Sequence, residues 1–135
     1  MRLTKNGKNL EETYLSIKPS DIKRGEIWRV NFDPTVGTEI KKIRPAVVIS
    51  SNAIGKLPIK IIAPITGWDS KYENSLWHIK ILPDNKNHLT KTSSIDALQI
   101  RGVDVLRFMS PKLGDLSQDQ IDEVISAIAA VIELQ

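Results

Sequence analysis

The sequence predicts a small, mainly β protein closed by one C-terminal helix. Three observations carry that expectation. Between Gly25 and Val103 the apolar residues fall into short runs that either alternate with polar residues or are dense in β-branched side chains. Turn residues separate the runs, as in "DPTVG" and "TGWDS". Near the end of the chain the apolar period changes from two to three and four. Several short strands in one small chain point to a compact barrel or sandwich.

Residues 1–20 read as a polar, lysine-bearing extension, with "NLEETYLSI" able to form a turn or two of helix capped by Asn9. A single domain is expected over 21–135. "EIWRVNFD" places Trp28, Val30 and Phe32 on one face and Arg29 and Asn31 on the other, the pattern of a half-buried strand. "PAVVIS" and "IKIIAPI" are short and apolar throughout, which suits strands buried on both faces. "LWHIKIL" sets Trp77, Ile79 and Ile81 against His78 and Lys80, and "SSIDALQIRGV" reads as one further strand. In "LGDLSQDQIDEVISAIAAVIELQ", Ser117 is placed as N-cap, Gln120 completes a capping box, and Leu116 with Ile121 forms a hydrophobic staple. Ile121, Val124, Ile125, Ile128, Val131 and Ile132 are expected to form one apolar stripe.

Composition narrows the function. The chain has 135 residues, enough for a single hydrophobic core. It contains no cysteine, which removes disulfides, thiolate chemistry and the usual zinc frameworks. No apolar run approaches the roughly 20 residues a membrane span requires. "MRLTKNGKNLEETYLS" lacks the apolar centre of a secretory signal, so a cytoplasmic protein is expected. The net charge of +3 favours an anionic partner without identifying one. Neither GxGxxG nor GxxxxGK[ST] occurs, leaving dinucleotide binding and P-loop hydrolysis without a motif. The two histidines are isolated: His78 reads as a surface residue on a polar strand face and His88 as part of a loop. No metal site and no cofactor are expected.

What remains is a cationic, hydroxyl-bearing set. Lys41, Lys42 and Arg44 precede "PAVVIS", Glu39 is close by, and Thr66 ends "IKIIAPIT". If the strands starting at Pro45 and ending at Ile65 are antiparallel neighbours, Arg44 and Thr66 meet. A guanidinium fork matches phosphate geometry, and a hydroxyl beside it donates to a second phosphate oxygen. Pro45 biases Arg44 to an extended backbone, which orients its side chain at low entropic cost. The plainer reading is a solvated loop arginine and a threonine that ends a strand.

The stretch "RGEIWRVNFDPTVGTEIKKIRPAVVIS" closely resembles the opening of the MazF/PemK/Kid-type toxins, whose pattern runs Gly-Glu-Ile-Trp, Asp-Pro, Gly-x-Glu and then Arg-Pro leading into an apolar strand. "IIAPITGW", "LQIRGVD" and "LGDLSQDQIDEVISAIAAVI" resemble later blocks of that family, so the likeness runs from about Ile22 to Gln135. It implies an SH3-like β-barrel with a C-terminal helix, a homodimer, and a metal-independent endoribonuclease that cuts single-stranded messenger RNA and is restrained by an antitoxin protein. It also implies roles. Arg44 matches the catalytic arginine, Thr66 the hydroxyl that helps hold the scissile phosphate, and Glu39 the acidic residue after the loop glycine. Gln99 matches a glutamine whose neighbours contact substrate. Some relatives carry a general-base aspartate directly before that glutamine; here Leu98 stands there and the nearest acid is Asp96.

The implied chemistry is attack of the ribose 2′-OH on the adjacent phosphorus, leaving a 2′,3′-cyclic phosphate. Arg44 serves as electrostatic stabiliser, Thr66 as phosphate ligand, and Glu39 or Asp96 as base candidates. Lys41, Lys42, Trp68 and Gln99 are the expected RNA contacts, with Trp68 acting either as a stacking platform or as a cap on the barrel. Two alternatives stay open: a gyrase-targeting toxin of the CcdB kind, and a non-catalytic binding module of the same fold.

Overall fold

The computed structural model describes residues 17–134. Among the described residues there are seven strands: β1 (Glu26–Asn31), β2 (Ile43–Val48), β3 (Ile59–Gly67), β4 (His78–Ile81), β5 (Ser93–Asp96), β6 (Arg101–Asp104) and β7 (Phe108–Asp115). One α-helix, α1 (Gln118–Val131), follows them. The strands form a coiled antiparallel sheet in the order β4-β5-β3-β2-β1-β7, with β6 pairing along the first half of β3. This is the SH3-like barrel with a terminal helix that the sequence predicts. The stretch "NLEETYLS" and its Asn9 cap lie outside the described residues. Ile17, at the start of the described chain, is buried with Ile22.

Two cores lie on the two faces of the sheet, and the alternation of single strands explains both. In β2 and just beyond it, Ala46 and Val48 point into a cluster with Trp28, Val30, Phe32, Ile62 and Phe108. Val47 and Ile49 point the other way, into a cluster with Ile65, Ile79, Ile95, Ile121 and Val124. β2 is therefore apolar on both faces, as its composition requires. β3 meets the same expectation only over its second half: Ile62, Ala63 and Ile65 are buried, whereas Ile59 and Ile61 face outward beyond the reach of the helix.

Three further departures have physical causes. "SSIDALQIRGV" is not one strand; Asp96 accepts from the backbone N–H groups of Leu98 and Gln99 and turns the chain through a 3₁₀ turn between β5 and β6. β7 carries Pro111 and Gly114, residues that disguise a strand in sequence, and its pairing with β1 is irregular between Ile27 and Arg29. On α1, Ile121, Val124 and Ala127 are buried while Ile125 and, just past the helix end, Ile132 stay exposed, because the expected stripe of isoleucines and valines is broader than the helix face that meets the sheet. The cap is as expected: Gln120 N–H donates to Ser117 Oγ and Ser117 N–H to Gln120 Oε1.

Candidate active site

β2 and β3 are antiparallel and register Ala46 with Pro64 and Val48 with Ile62. Continuing that register by two residues sets Arg44 opposite Thr66, so both belong to the same face of the sheet. Thr66 is paired in turn with Ser94 on β5, and Ser94 with Lys80 on β4. One row across four strands thus reads Arg44, Thr66, Ser94, Lys80, at about 4.8 Å per strand. Beside it, Asp96 pairs with His78. Arg44 is exposed, donates from Nε to Lys41 O at 3.4 Å, and has no carboxylate partner among the described residues. Its fork remains available to an anion. Ser94 Oγ is buried with no protein partner, an acceptor and donor left open next to Thr66.

The β1–β2 loop that carries Lys41 and Lys42 is held at its base. Phe32 N–H donates to Lys42 O at 2.9 Å, and Lys42 N–H to Asp33 Oδ1 at 3.0 Å. Arg107 Nη1 donates to Asn31 O and Asp33 O at 2.9 and 2.8 Å, which clamps the outgoing end of β1. Lys42 itself has φ of 68°, an uncommon backbone state for a lysine that this closure imposes. Both Lys41 and Lys42 are exposed. Glu39 is exposed as well, and its Oε1 accepts from Val36 N–H at 2.6 Å, which folds the loop tip into a turn.

A cleft of about 370 Å³ runs beside this loop, lined by Thr38, Glu39, Ile40, Leu98, Gln99 and Arg101 among others. Gln99 therefore reaches the site, but both ends of its amide are engaged: Oε1 accepts from Ile40 N–H at 2.7 Å, and Nε2 donates to Asp96 Oδ2 at 3.1 Å. Asp96 does not share a face with Leu98, because the intervening 3₁₀ turn breaks the strand period. Leu98 is 57% exposed, whereas Asp96 is 7% exposed and bonded on both oxygens.

The sequence reading missed His78. It is largely buried rather than a free surface group, stacked on Tyr72 with ring centroids 3.7 Å apart, with Nδ1 2.8 Å from Ser75 Oγ and Nε2 3.9 Å from Asp96 Oδ2. Tyr72 meets Trp68 edge-on at 5.7 Å, and Lys80 Nζ lies 5.1 Å from the centre of the Trp68 ring. Trp68 is half-buried, with a cation over it. The signal for this cluster was available in the alternation of "WHIK", which puts His78 and Lys80 on the face opposite Ile79. His88 is an exposed loop residue. Among the described residues no group of three or more His, Asp or Glu side chains is placed to hold a metal ion, and no helix is long and apolar enough to cross a membrane.

Comparison with known proteins agrees with the resemblance in the sequence. Over 120 residues the chain is 27% identical to the endoribonuclease toxin ChpB of Escherichia coli K12, covering 87% of this chain and 99% of that one. In fold it is similar to MazF of Deinococcus radiodurans, with a TM-score of 0.69 at 23% identity over 83% of this chain and 96% of the other. It is also similar to a mycobacterial endoribonuclease solved with its cognate antitoxin, with a TM-score of 0.66 at 16% identity over 84% and 96%. Residues 23–132 match the family described as PemK-like, MazF-like toxin of type II toxin-antitoxin system. The chain belongs to that family of toxins.

Proposed function

We propose that this toxin is a metal-independent, sequence-specific endoribonuclease that cuts single-stranded messenger RNA by 2′-OH transesterification, with the scissile phosphate held between Arg44 and Thr66. The observation that carries the reading is the shared face of those two residues together with the absence of an acidic partner on Arg44 among the described residues. A guanidinium free of carboxylates stabilises the two negative charges that gather on the non-bridging oxygens, and the Thr66 hydroxyl donates to one of them.

The proton of the 2′-OH goes to Glu39. Only one oxygen of its exposed carboxylate is occupied, by Val36 N–H, whereas both oxygens of buried Asp96 are bonded within the fold. As the 2′-O–P bond forms the P–O5′ bond breaks, the 5′-oxygen takes a proton from solvent and leaves as a hydroxyl, and a 2′,3′-cyclic phosphate remains. Lys41 and Lys42 attract the RNA backbone, and Trp68 offers an aromatic face with a cation above it to a flanking base. Gln99 shapes the cleft wall.

The chain works in the cytoplasm as a homodimer and is silenced by a cognate antitoxin. Support for self-association comes from Ile59 and Ile61, exposed side chains on the same β3 face that the helix covers further along. Incubation with long RNA in EDTA tests the reading. Wild-type protein should yield 2′,3′-cyclic phosphate ends, and Arg44→Ala should be slower by roughly a hundredfold or more. Wild-type protein that leaves the RNA intact would remove the nuclease reading in favour of a binding toxin.

A further inference from the structure

We infer that Asp96 is a positioning residue: by fixing the amide of Gln99 it holds Ile40, and with it the neighbouring Glu39, at the working wall of the cleft. The inference rests on the nuclease reading for its catalytic consequence, but its geometry is independent of that reading.

The chain of contacts leaves no alternative orientation. Asp96 Oδ1 accepts from the N–H groups of Leu98 and Gln99 at 3.0 and 3.3 Å, which pins the carboxylate to the turn it caps. Its Oδ2 is thereby aimed at the Gln99 side chain, 3.1 Å from Nε2. A carboxylate only accepts, so the amide must turn its NH₂ group toward Asp96 and its oxygen away. That oxygen meets Ile40 N–H at 2.7 Å, joining positions 59 residues apart in sequence. Rotating the amide by half a turn would set acceptor against acceptor at Asp96 and donor against donor at Ile40. The acid that caps the turn therefore dictates where a loop on the far side of the cleft is tied down. Glu39, next to Ile40, bonds only within its own turn and inherits its place from this tie.

An exchange of donor and acceptor tests the inference. In Asp96→Asn the group facing Gln99 becomes an NH₂, which the Gln99 amide can meet only by turning its own NH₂ toward Ile40 N–H. In Gln99→Glu two carboxylates face each other. In the double variant D96N/Q99E the new NH₂ donates to one Glu oxygen, the other accepts from Ile40 N–H, and the total charge is unchanged. Two quantities are read: hydrogen exchange at the Ile40 amide, and kcat and KM on a single-stranded RNA. Each single variant should speed exchange at Ile40 by about fivefold to tenfold and lower kcat by about tenfold or more with a smaller change in KM, since a base displaced by an ångström loses rate. The double variant should recover both to within about threefold. Single variants with wild-type exchange and rate, or a folded double variant no better than the worse single, would overturn the inference. Wild-type protein that cuts no RNA would instead sink the nuclease reading, while the Ile40 exchange pattern would still decide whether the tie exists.

Discussion

Replacing Gly114 with alanine should destabilise the barrel far more than the addition of one methyl group suggests. A Cβ built at Gly114 lies 2.5 Å from Asn87 O and 2.6 Å from both Asn87 C and Lys86 O. Ordinary carbon–oxygen contacts sit near 3.3 Å or beyond, so the overlap with the two carbonyl oxygens is about 0.7–0.8 Å, and every atom struck is backbone that cannot rotate aside. Forcing such a methyl into a packed site costs about 1–3 kcal/mol. The 84–89 loop must then move, and the hydrogen bonds that hold it include Asp115 N–H to Lys86 O, Asn87 Nδ2 to Leu82 O, and the Asp84 and Leu89 N–H groups to Asn87 Oδ1. Losing two of them adds about 2 kcal/mol, for a total of about 3–5 kcal/mol, a large share of a typical domain's stability. Gly37→Ala is the control: its φ is +58° with nothing within 4 Å of the new Cβ, so only the backbone term of about 1–2 kcal/mol applies. Urea unfolding followed by tryptophan fluorescence measures both. A Gly114→Ala loss no larger than that of Gly37→Ala, at unchanged denaturant slope, would refute the packing argument.

Two more outcomes concern charge. The Asp84 carboxyl is held below its ordinary value chiefly by the N–H of Asn87 and then that of Lys86, so it contributes stability that is fully present above about pH 3.8 and lost as pH falls through the depressed value. Asp84→Asn should flatten the acid limb of the urea midpoint below about pH 4 relative to wild type. Lys60 is buried and, among the described residues, its ammonium has one acceptor, Gly55 O at 3.4 Å; burial, then the neighbouring Lys23, lowers its pKa below 10.5. The unfolded chain then holds the proton more tightly, so stability should rise with pH between the lowered value and 10.5, and Lys60→Met should abolish that rise while stabilising the neutral protein by about 1 kcal/mol.

Much of this fold was legible because period and burial coincide. Trp28, Val30 and Phe32 alternate in sequence and share a core; Ser117 and Gln120 stand where a capping box needs them, and they form one. Legibility failed where a polar side chain replaced the backbone's own pairing. Asp96 looks like any strand residue until its carboxylate is seen to take two backbone N–H groups and bend the chain, which sends Leu98 into solvent and Gln99 toward Ile40. β7 was hidden by its proline and glycine, whereas α1 was expected and only its apolar stripe was drawn too wide, since Ile125 and Ile132 lie in solvent. In the site, the adjacency of Arg44 and Thr66 was legible because two strands joined by a short connection pair antiparallel more readily than parallel, and these two do. The burial of His78 was not, because the Tyr72 that covers it arrives from a loop whose path no local rule specifies.

The path of β3 has a last implication. This strand joins β6 along its first half and β5 along its second, touches both apolar interiors, and carries Thr66 one residue before its end. The residue proposed to grip the phosphate is therefore anchored on a strand that pairs with three others and contributes to both cores, so moving it means disturbing both. An inhibitor that must be released to let the toxin act is better served by screening such a centre than by bending it out of shape, since the screened form springs back ready to work the moment the cover is gone.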